Sequence, residues 1–236
     1  MVILVLILLG CAPSPWRMPG PLDRLGQGST EALEAYLARN RKAADTPTEP
    51  GKKSSAANAD ARQIASAARS FLGDSRLVVD GESYRFDCSG LVEASLAKAG
   101  RPQTGSSAML YDAARESGVL HRRRRPTPGD IAFFDNTYDR DKNGVNDDAI
   151  SHTAVVTAIH GNGTVEMVHT GSGGVVKLTM NLLHPHDHND GGGGVINDYL
   201  RAKSKRDPSG TEYLAGELWV GFASFWSAKV PRGETD

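Results

Sequence analysis

The run Phe86-Asp87-Cys88-Ser89-Gly90-Leu91-Val92 constrains this chain more than any other stretch, because it sets the one internal cysteine where an extended approach turns into a helix. Leu91, Val92, Ser95, Leu96 and Ala99 follow a helical period, and Gly100 supplies the stop. Cys88 is therefore expected in the first helical turn. Unpaired backbone N–H groups and the helix dipole there favour a thiolate, the form that attacks a carbonyl. A lone cysteine is otherwise a small buried hydrophobe, so only its context makes it a candidate nucleophile.

That context lies downstream. Pro128-Gly129-Asp130 leads into the apolar run Ile131 to Phe134, and Ile150-Ser151-His152 opens a β-like run, Thr153 to Ile159. A further β-like run, Thr164 to Thr170, contains His169. Gly161-Asn162-Gly163 between them is a strong hairpin signal. A two-residue loop, Gly161-Asn162 or Asn162-Gly163, sets His169 opposite Ala154 or Val156. Both share parity with His152, so the two imidazoles face one side of the sheet. The first register leaves them about 7 Å apart; a three-residue loop would turn His169 to the other face. His160 lies roughly 26 Å along the strand from His152 and is excluded.

This order resembles the NlpC/P60 family of papain-like cysteine peptidases: DCSGL on a helix, PGD before an apolar strand, then SH opening another. The resemblance spans roughly residues 59–180. It implies an α+β fold in which a nucleophile helix packs on an antiparallel β-sheet, and hydrolysis of peptide bonds in peptidoglycan stem peptides. By residue match, Cys88 takes the nucleophile's position, His152 the general base's, and His169 that of the polar group orienting the base. The neighbouring CHAP amidase family shares this fold logic and some members carry calcium loops, so it is the enzymatic alternative. A non-catalytic wall-binding lipoprotein is the other, although retention of both Cys88 and His152 argues against it.

Two departures from the family pattern stand out. Family members carry a Gly-x-Pro-Tyr-x-x-Gly-Gly stretch ahead of the cysteine, whose tyrosine helps shape the oxyanion site. Here Gly73 to Tyr84 holds no Pro-Tyr pair, and Tyr84 stands too close to Cys88 to take that role. Backbone N–H groups of Cys88 and its helix neighbours would then meet the oxyanion, and the substrate pocket is expected to differ. The second departure is an insertion from Asp139 to Asp148. Asp139, Asp141 and Asn143 supply oxygens at loop positions 1, 3 and 5, Gly144 falls at 6, Val145 offers its carbonyl at 7, and Asp147 stands at 9. Position 12 is Ile150 rather than Glu, so a strong ligand is missing or comes from elsewhere, with Asp148 the candidate. A solvated acidic turn has a similar composition. The chemistry itself requires no cofactor; a structural Ca2+ is expected to fix the segment leading into His152.

The amino-terminal residues point to a compartment. Met1 to Leu9 is apolar and ends in Leu8-Leu9-Gly10-Cys11, which resembles a bacterial lipobox. Residues 1–11 then read as a lipoprotein signal peptide with Cys11 as the lipidated residue, and the stretch is too short to span a bilayer. Ala12 after the cysteine favours the outer membrane, facing the periplasm. Residues 12–58 read as a tether, with a short helix from Ser29 to Lys42 and a Pro-, Ser- and Ala-rich linker. The catalytic domain is expected over 59–230, opening with a helix capped by Asp60 and running to Leu72.

The remaining features carry less. With 27 basic and 28 acidic residues the net charge is −1, which implies no nucleic-acid partner; a monomer is expected. Arg122 to Arg125 reads as a solvated loop. His184, His186 and His188 lack zinc-like pairing. The span 184–212 is long and irregular, expected to be a lid or a disordered insertion, and Glu217 to Phe225 reads as a last strand closing the sheet.

Overall fold

In the computed structural model the chain divides into two units, residues 1–49 and 50–236. Residues 54–144, 147–205 and 207–228 are described, so the lipobox with Cys11 and the helix expected over 29–42 lie outside the described residues. The second unit opens with helix α1, Ser54–Ser70, followed by a small hairpin of β1, Leu77–Val79, and β2, Glu82–Tyr84. Helices α2, Cys88–Lys98, and α3, Ser107–Glu116, come next. The main sheet is built from β3, Leu120–His121; β4, Ile131–Phe134; β5, His152–Ile159; β6, Val165–Gly171; β7, Gly174–Met180; and β8, Trp219–Ala223. A short helix α4, Ala215–Leu218, precedes β8.

The six strands run antiparallel in the order β3-β8-β4-β5-β6-β7. Alternation along each strand sends side chains to two faces, and each face has its own core. Ile131, Phe133, Val155 and Val168 pack under Ile64 and Ala68 of α1 and Leu91 and Leu96 of α2. Phe134, Val156, Met167 and Met180 pack under Leu182, Ala215 and Leu218. Helix α2, which carries Cys88, thus lies on an antiparallel sheet, the α+β arrangement expected. The first part of the span 184–212 is tied down rather than a free insertion. Asn197, fully buried, donates from Nδ2 to the carbonyls of His184 and Asp187, both at 2.8 Å. Its Oδ1 accepts the Asn181 N–H at 2.7 Å, so the segment is bonded down onto the end of β7.

Close backbone approach explains the glycines of both motifs. A Cβ on Gly90 would sit 1.9 Å from the Arg85 carbonyl oxygen, and one on Gly129 would sit 2.2 Å from that of Ala61. The first approach sets the chain's entry into α2; the second seats α1 against the start of β4. Asp130 then ties the sheet together. It is fully buried and accepts Trp226 Nε1–H, the Ser224 hydroxyl and the Thr127 N–H, each at 2.7 Å. His121 Nε2 stands 3.2 Å from its second oxygen.

Several boundaries differ from expectation. Helix α1 begins at Ser54 rather than at Asp60 and ends at Ser70, so residues 54–58 are helix and not linker. Asp60 lies inside it, and its carboxylate pairs with Arg101 instead of capping. Glu217 belongs to α4, where Oε2 accepts the N–H groups of Tyr213 and Leu214, both at 3.0 Å. Strand β8 starts at Trp219 and lies between β3 and β4, not at an edge.

Replacing Asp130 by Ala strands several buried donors at once. Unfolding in urea should show a loss of about 3 kcal/mol, since a buried group left without its charged partner costs that much.

Candidate active site

Asp87 ends the extended approach as the N-cap of α2, its carboxylate accepting the Gly90 N–H at 2.7 Å and the Ser89 hydroxyl at 2.9 Å. Cys88 is the first residue of the helix, as expected, and is half-buried. The Arg85 guanidinium braces this turn, reaching Ser89 Oγ at 3.2 Å, Glu93 Oε1 at 3.1 Å and the Gly105 carbonyl at 2.9 Å. The expected resting thiolate is not what the surroundings favour. Burial pushes the Cys88 thiol up, and the Asp87 charge adds to that; N–H groups of Thr153, Ser89 and Cys88 itself only partly offset it. The helix start competes here with desolvation, and desolvation wins. The Thr153 N–H within reach of the sulfur also sets Cys88 against the start of β5, next to His152.

The two histidines meet. His152 Nε2 and His169 Nδ1 are 2.8 Å apart, their rings edge to face with centroids at 5.0 Å. The loop differs from both two-residue loops, although His169 ends opposite Ala154, where the first of them would have set it. His160 N–H bonds to the Thr164 carbonyl at 2.8 Å, leaving the three-residue loop Gly161-Asn162-Gly163. Ile159 accordingly pairs with Val165 and Ala158 with Glu166, but further along Val156 pairs with Met167 and Val155 with Val168. Thr157 is the extra residue between them. A β-bulge shifts the ladder by one position and restores the parity that the longer loop would have lost. His169 thereby comes opposite Ala154, on the same face as His152.

Both rings are buried, 8% and 7% exposed, and burial holds both below the ordinary imidazole range. His152 is pushed down to about 3, with repulsion from His169 adding to burial. His169 is pushed down to about 4, the Asp198 charge opposing the shift. Two neutral rings share one proton across their contact. If His152 Nε2–H donates to His169 Nδ1, then His152 Nδ1 carries the free lone pair. Gly171 limits the space beside His169: a Cβ there would stand 3.1 Å from Cε1 and 3.3 Å from Nε2.

The approach to His152 is strained. Ile150 has φ +47°, a left-handed conformation that a β-branched residue rarely adopts. Its N–H donates to Asp135 Oδ1 at 2.6 Å and its carbonyl accepts the Ser107 hydroxyl at 2.6 Å. The strand expected from Ile150 therefore begins at His152. No local sequence signal marks Ile150, because its conformation is imposed by partners 15 and 43 residues away.

In the acidic loop, ligand-type oxygens of Asp139, Asp141 and Asp148 lie within 4.8 Å of one another. Asp148, buried, joins the group where position 12 lacks its Glu. Asp139 accepts the N–H groups of Asn143 at 3.1 Å and Gly144 at 2.8 Å. Asp148 accepts the Arg140 N–H at 2.6 Å. Each carboxylate oxygen retains a second lone pair, so this donor set fits a hard, oxygen-preferring cation. Asp147 touches the loop through the Asn143 amide at 3.5 Å but does not join the three; Val145 lies outside the described residues. The three clustered histidines are dispersed: His184 faces Asp187, His186 pairs with Glu217, and His188 Nδ1 bonds to the Asn197 carbonyl. A polar cavity of about 510 Å³ lined by Asn162, Asn181, His184 and Asp187 lies at the hairpin turn, the opposite end of β5 from His152. The reactive groups do not line it.

Residues 79–171 match the family model of the CHAP domain, the segment that holds Cys88, His152 and His169. Over this region the chain is similar to that family. CHAP was the enzymatic alternative in the sequence, so the match favours that branch of the shared fold. A solved structure from Staphylococcus aureus subsp. aureus Mu50, described as similar to lipoprotein, NLP/P60 family, is 24% identical, with a TM-score of 0.34. The similarity covers 56% of this chain and 38% of that one, so the chain spans well under half of that protein's length. No curated protein matches the chain.

The depressed histidines have a consequence for stability. Below the ordinary imidazole value near 6.5, the unfolded chain binds protons that the folded pair refuses until about pH 4 and then about pH 3. Their contribution is fully present above pH 6.5 and is lost as pH falls through that window. Melting temperature should drop steeply between pH 6.5 and 4, and His169→Gln should flatten that slope.

Proposed function

We propose that the protein is a cell-envelope cysteine peptidase or amidase that hydrolyses peptide bonds of peptidoglycan stem peptides through Cys88, His152 and His169. The observation that carries this is the His152–His169 contact at 2.8 Å, with Cys88 at the first turn of its helix beside Thr153. His152, as general base, takes the thiol proton through Nδ1 while Nε2 stays donated to His169. The thiol and imidazole rest neutral, so proton transfer accompanies attack rather than preceding it. The sulfur then bonds the substrate carbonyl carbon, the imidazolium returns its proton to the leaving amine, and water releases the acyl group. His169, neutral and fixed above Gly171, holds the imidazolium in orientation.

Two further elements belong to the proposal. Cys11 carries a lipid anchor that tethers the domain to the membrane; no helix among the described residues is long and apolar enough to cross one. A calcium ion held by Asp139, Asp141 and Asp148, with Asn143, Val145 and Asp147 completing the loop, orders the turn before His152 and supplies no chemistry of its own.

Incubation of the full chain with muropeptides, products weighed by mass spectrometry, tests the reaction. Wild type should release stem-peptide fragments, and Cys88→Ser should lose more than about 10³-fold in rate, because an unactivated hydroxyl is a far weaker nucleophile. Equal turnover by both would overturn the assignment. Chelation should lower the melting temperature by several degrees, with calcium restoring it. Asp148→Asn should blunt that response; a melting curve indifferent to calcium and chelator removes the ion from the proposal.

A further inference from the structure

The loop that joins β3 to β4 carries four consecutive arginines, Arg122 to Arg125, and all four are exposed. None of their side chains enters an ion pair or a hydrogen bond with a described residue. Arg69, Arg101, Arg140 and Arg201, by contrast, are each tied to a carbonyl or a carboxylate. Both ends of the loop are held on one atom. Asp130 Oδ2 accepts the Thr127 N–H at 2.7 Å, and His121 Nε2 stands 3.2 Å from it; Pro126 between them is buried. A short closed loop therefore keeps four like charges together at the surface, where they repel one another and meet no counter-charge from the described fold. The chain as a whole is nearly neutral, with a net charge of −1, so this basic patch is local.

We propose that the loop 122–125 is a membrane-contact surface that rests on anionic lipid headgroups. Charge and position together select that occupant. Four adjacent arginines complement an extended layer of negative headgroups, and the loop holds no apolar residue that would enter the hydrocarbon, so the contact is electrostatic and stays at the surface. The chain enters the domain close by. Ala61 of α1 lays its carbonyl against Gly129, four residues after Arg125, and Lys52 and Lys53 directly precede α1 in the sequence. The proposed anchor at Cys11 lies on the chain that leads into α1, so the loop stands near the point where the tether joins the domain. β3 is the edge strand of the main sheet, and β8 and β4 separate it from β5, which begins with His152. Three strand spacings put β3 about 14 Å from β5. The anchor holds the domain near the membrane; the loop fixes which edge faces it and leaves the His152 side free for wall substrate.

This rests on the proposed envelope location and is separable from turnover. The full chain bearing Cys11→Ser, which takes no lipid, is sedimented with vesicles of phosphatidylcholine or of phosphatidylcholine and phosphatidylglycerol in equal parts. The apolar residues 1–9 meet both vesicles alike, so the ratio of the two partition coefficients reads the charge contact. Each basic residue at an anionic surface contributes about fivefold, so the ratio should exceed about 10², and Arg123→Gln with Arg124→Gln should lower it about 30-fold. Lysine at all four positions should keep it within about threefold, because a headgroup layer reads charge rather than guanidinium geometry. Salt that shortens the screening length to about 3 Å should abolish it. Melting temperature should not fall in any of these variants. Equal partition onto both vesicles, or a ratio that the double substitution leaves unchanged, would overturn the membrane contact. So would binding of the loop to soluble poly(glycerol phosphate) without binding to anionic vesicles. A chain that binds anionic vesicles through the loop, yet leaves muropeptides whole or stays free of membranes in cells, would keep this inference and overturn the peptidase or the anchor instead.

Discussion

One extra residue in β5 holds the site together. Thr157 sits in the ladder without a partner, its hydroxyl donating to the Glu166 carbonyl at 3.1 Å while its own carbonyl accepts Arg69 at 2.7 Å. A side-chain period of two makes any one-residue slip flip every later side chain to the other face. The three-residue loop imposes one such slip and the bulge at Thr157 imposes the opposite one. Only their sum puts His169 across from Ala154 and within hydrogen-bond distance of His152. Arg69 belongs to α1, so the helix laid over the sheet also secures the bulge. Catalytic geometry and core packing are therefore the same constraint at this point.

Burial on both faces is what makes the site neutral. Helices α1 and α2 cover one side of the sheet, and Leu182, Leu200, Ala215 and Leu218 cover the other. The strands between them carry few groups able to compensate a charge. Two imidazoles in such a setting shed their protons, and a thiol at the helix start keeps its own despite the favourable dipole. The N-cap carboxylate of Asp87, which the helix needs for its first turn, is one more reason. Stability of the helix start and acidity of the Cys88 thiol pull against each other.

The loop between β4 and β5 links the remaining parts. Asp135, Thr137 and Asp148 each bond forward or back across it, and Ile150 is held in a left-handed conformation as a result. Such strain persists only where partners over-determine it, and here they stand immediately before the general-base candidate. The same ties hold Asp148 against the acidic loop, so one clamped segment leads from the clustered carboxylates to His152.

The sequence by itself determined the kinds of elements and their chemistry. Helical spacing after Cys88, the Pro128-Gly129-Asp130 turn and the Gly161-Asn162-Gly163 hairpin are local signals, and each element formed where its signal lay. The pairing of His152 with His169 was legible because strand parity depends only on nearby residues. The three-residue loop and the compensating bulge at Thr157 were not, although together they arrive at the first register expected. The start of α1 was misplaced because Asp60 looks like a cap locally but has Arg101 as its partner across the fold. Tertiary structure alone decided that the surroundings of Cys88 favour its thiol, that the segment around Asn197 is bonded to the end of β7, and that Asp147 stays outside the clustered carboxylates. Each depends on which distant groups come near and on how much water they exclude, quantities that no local spacing encodes.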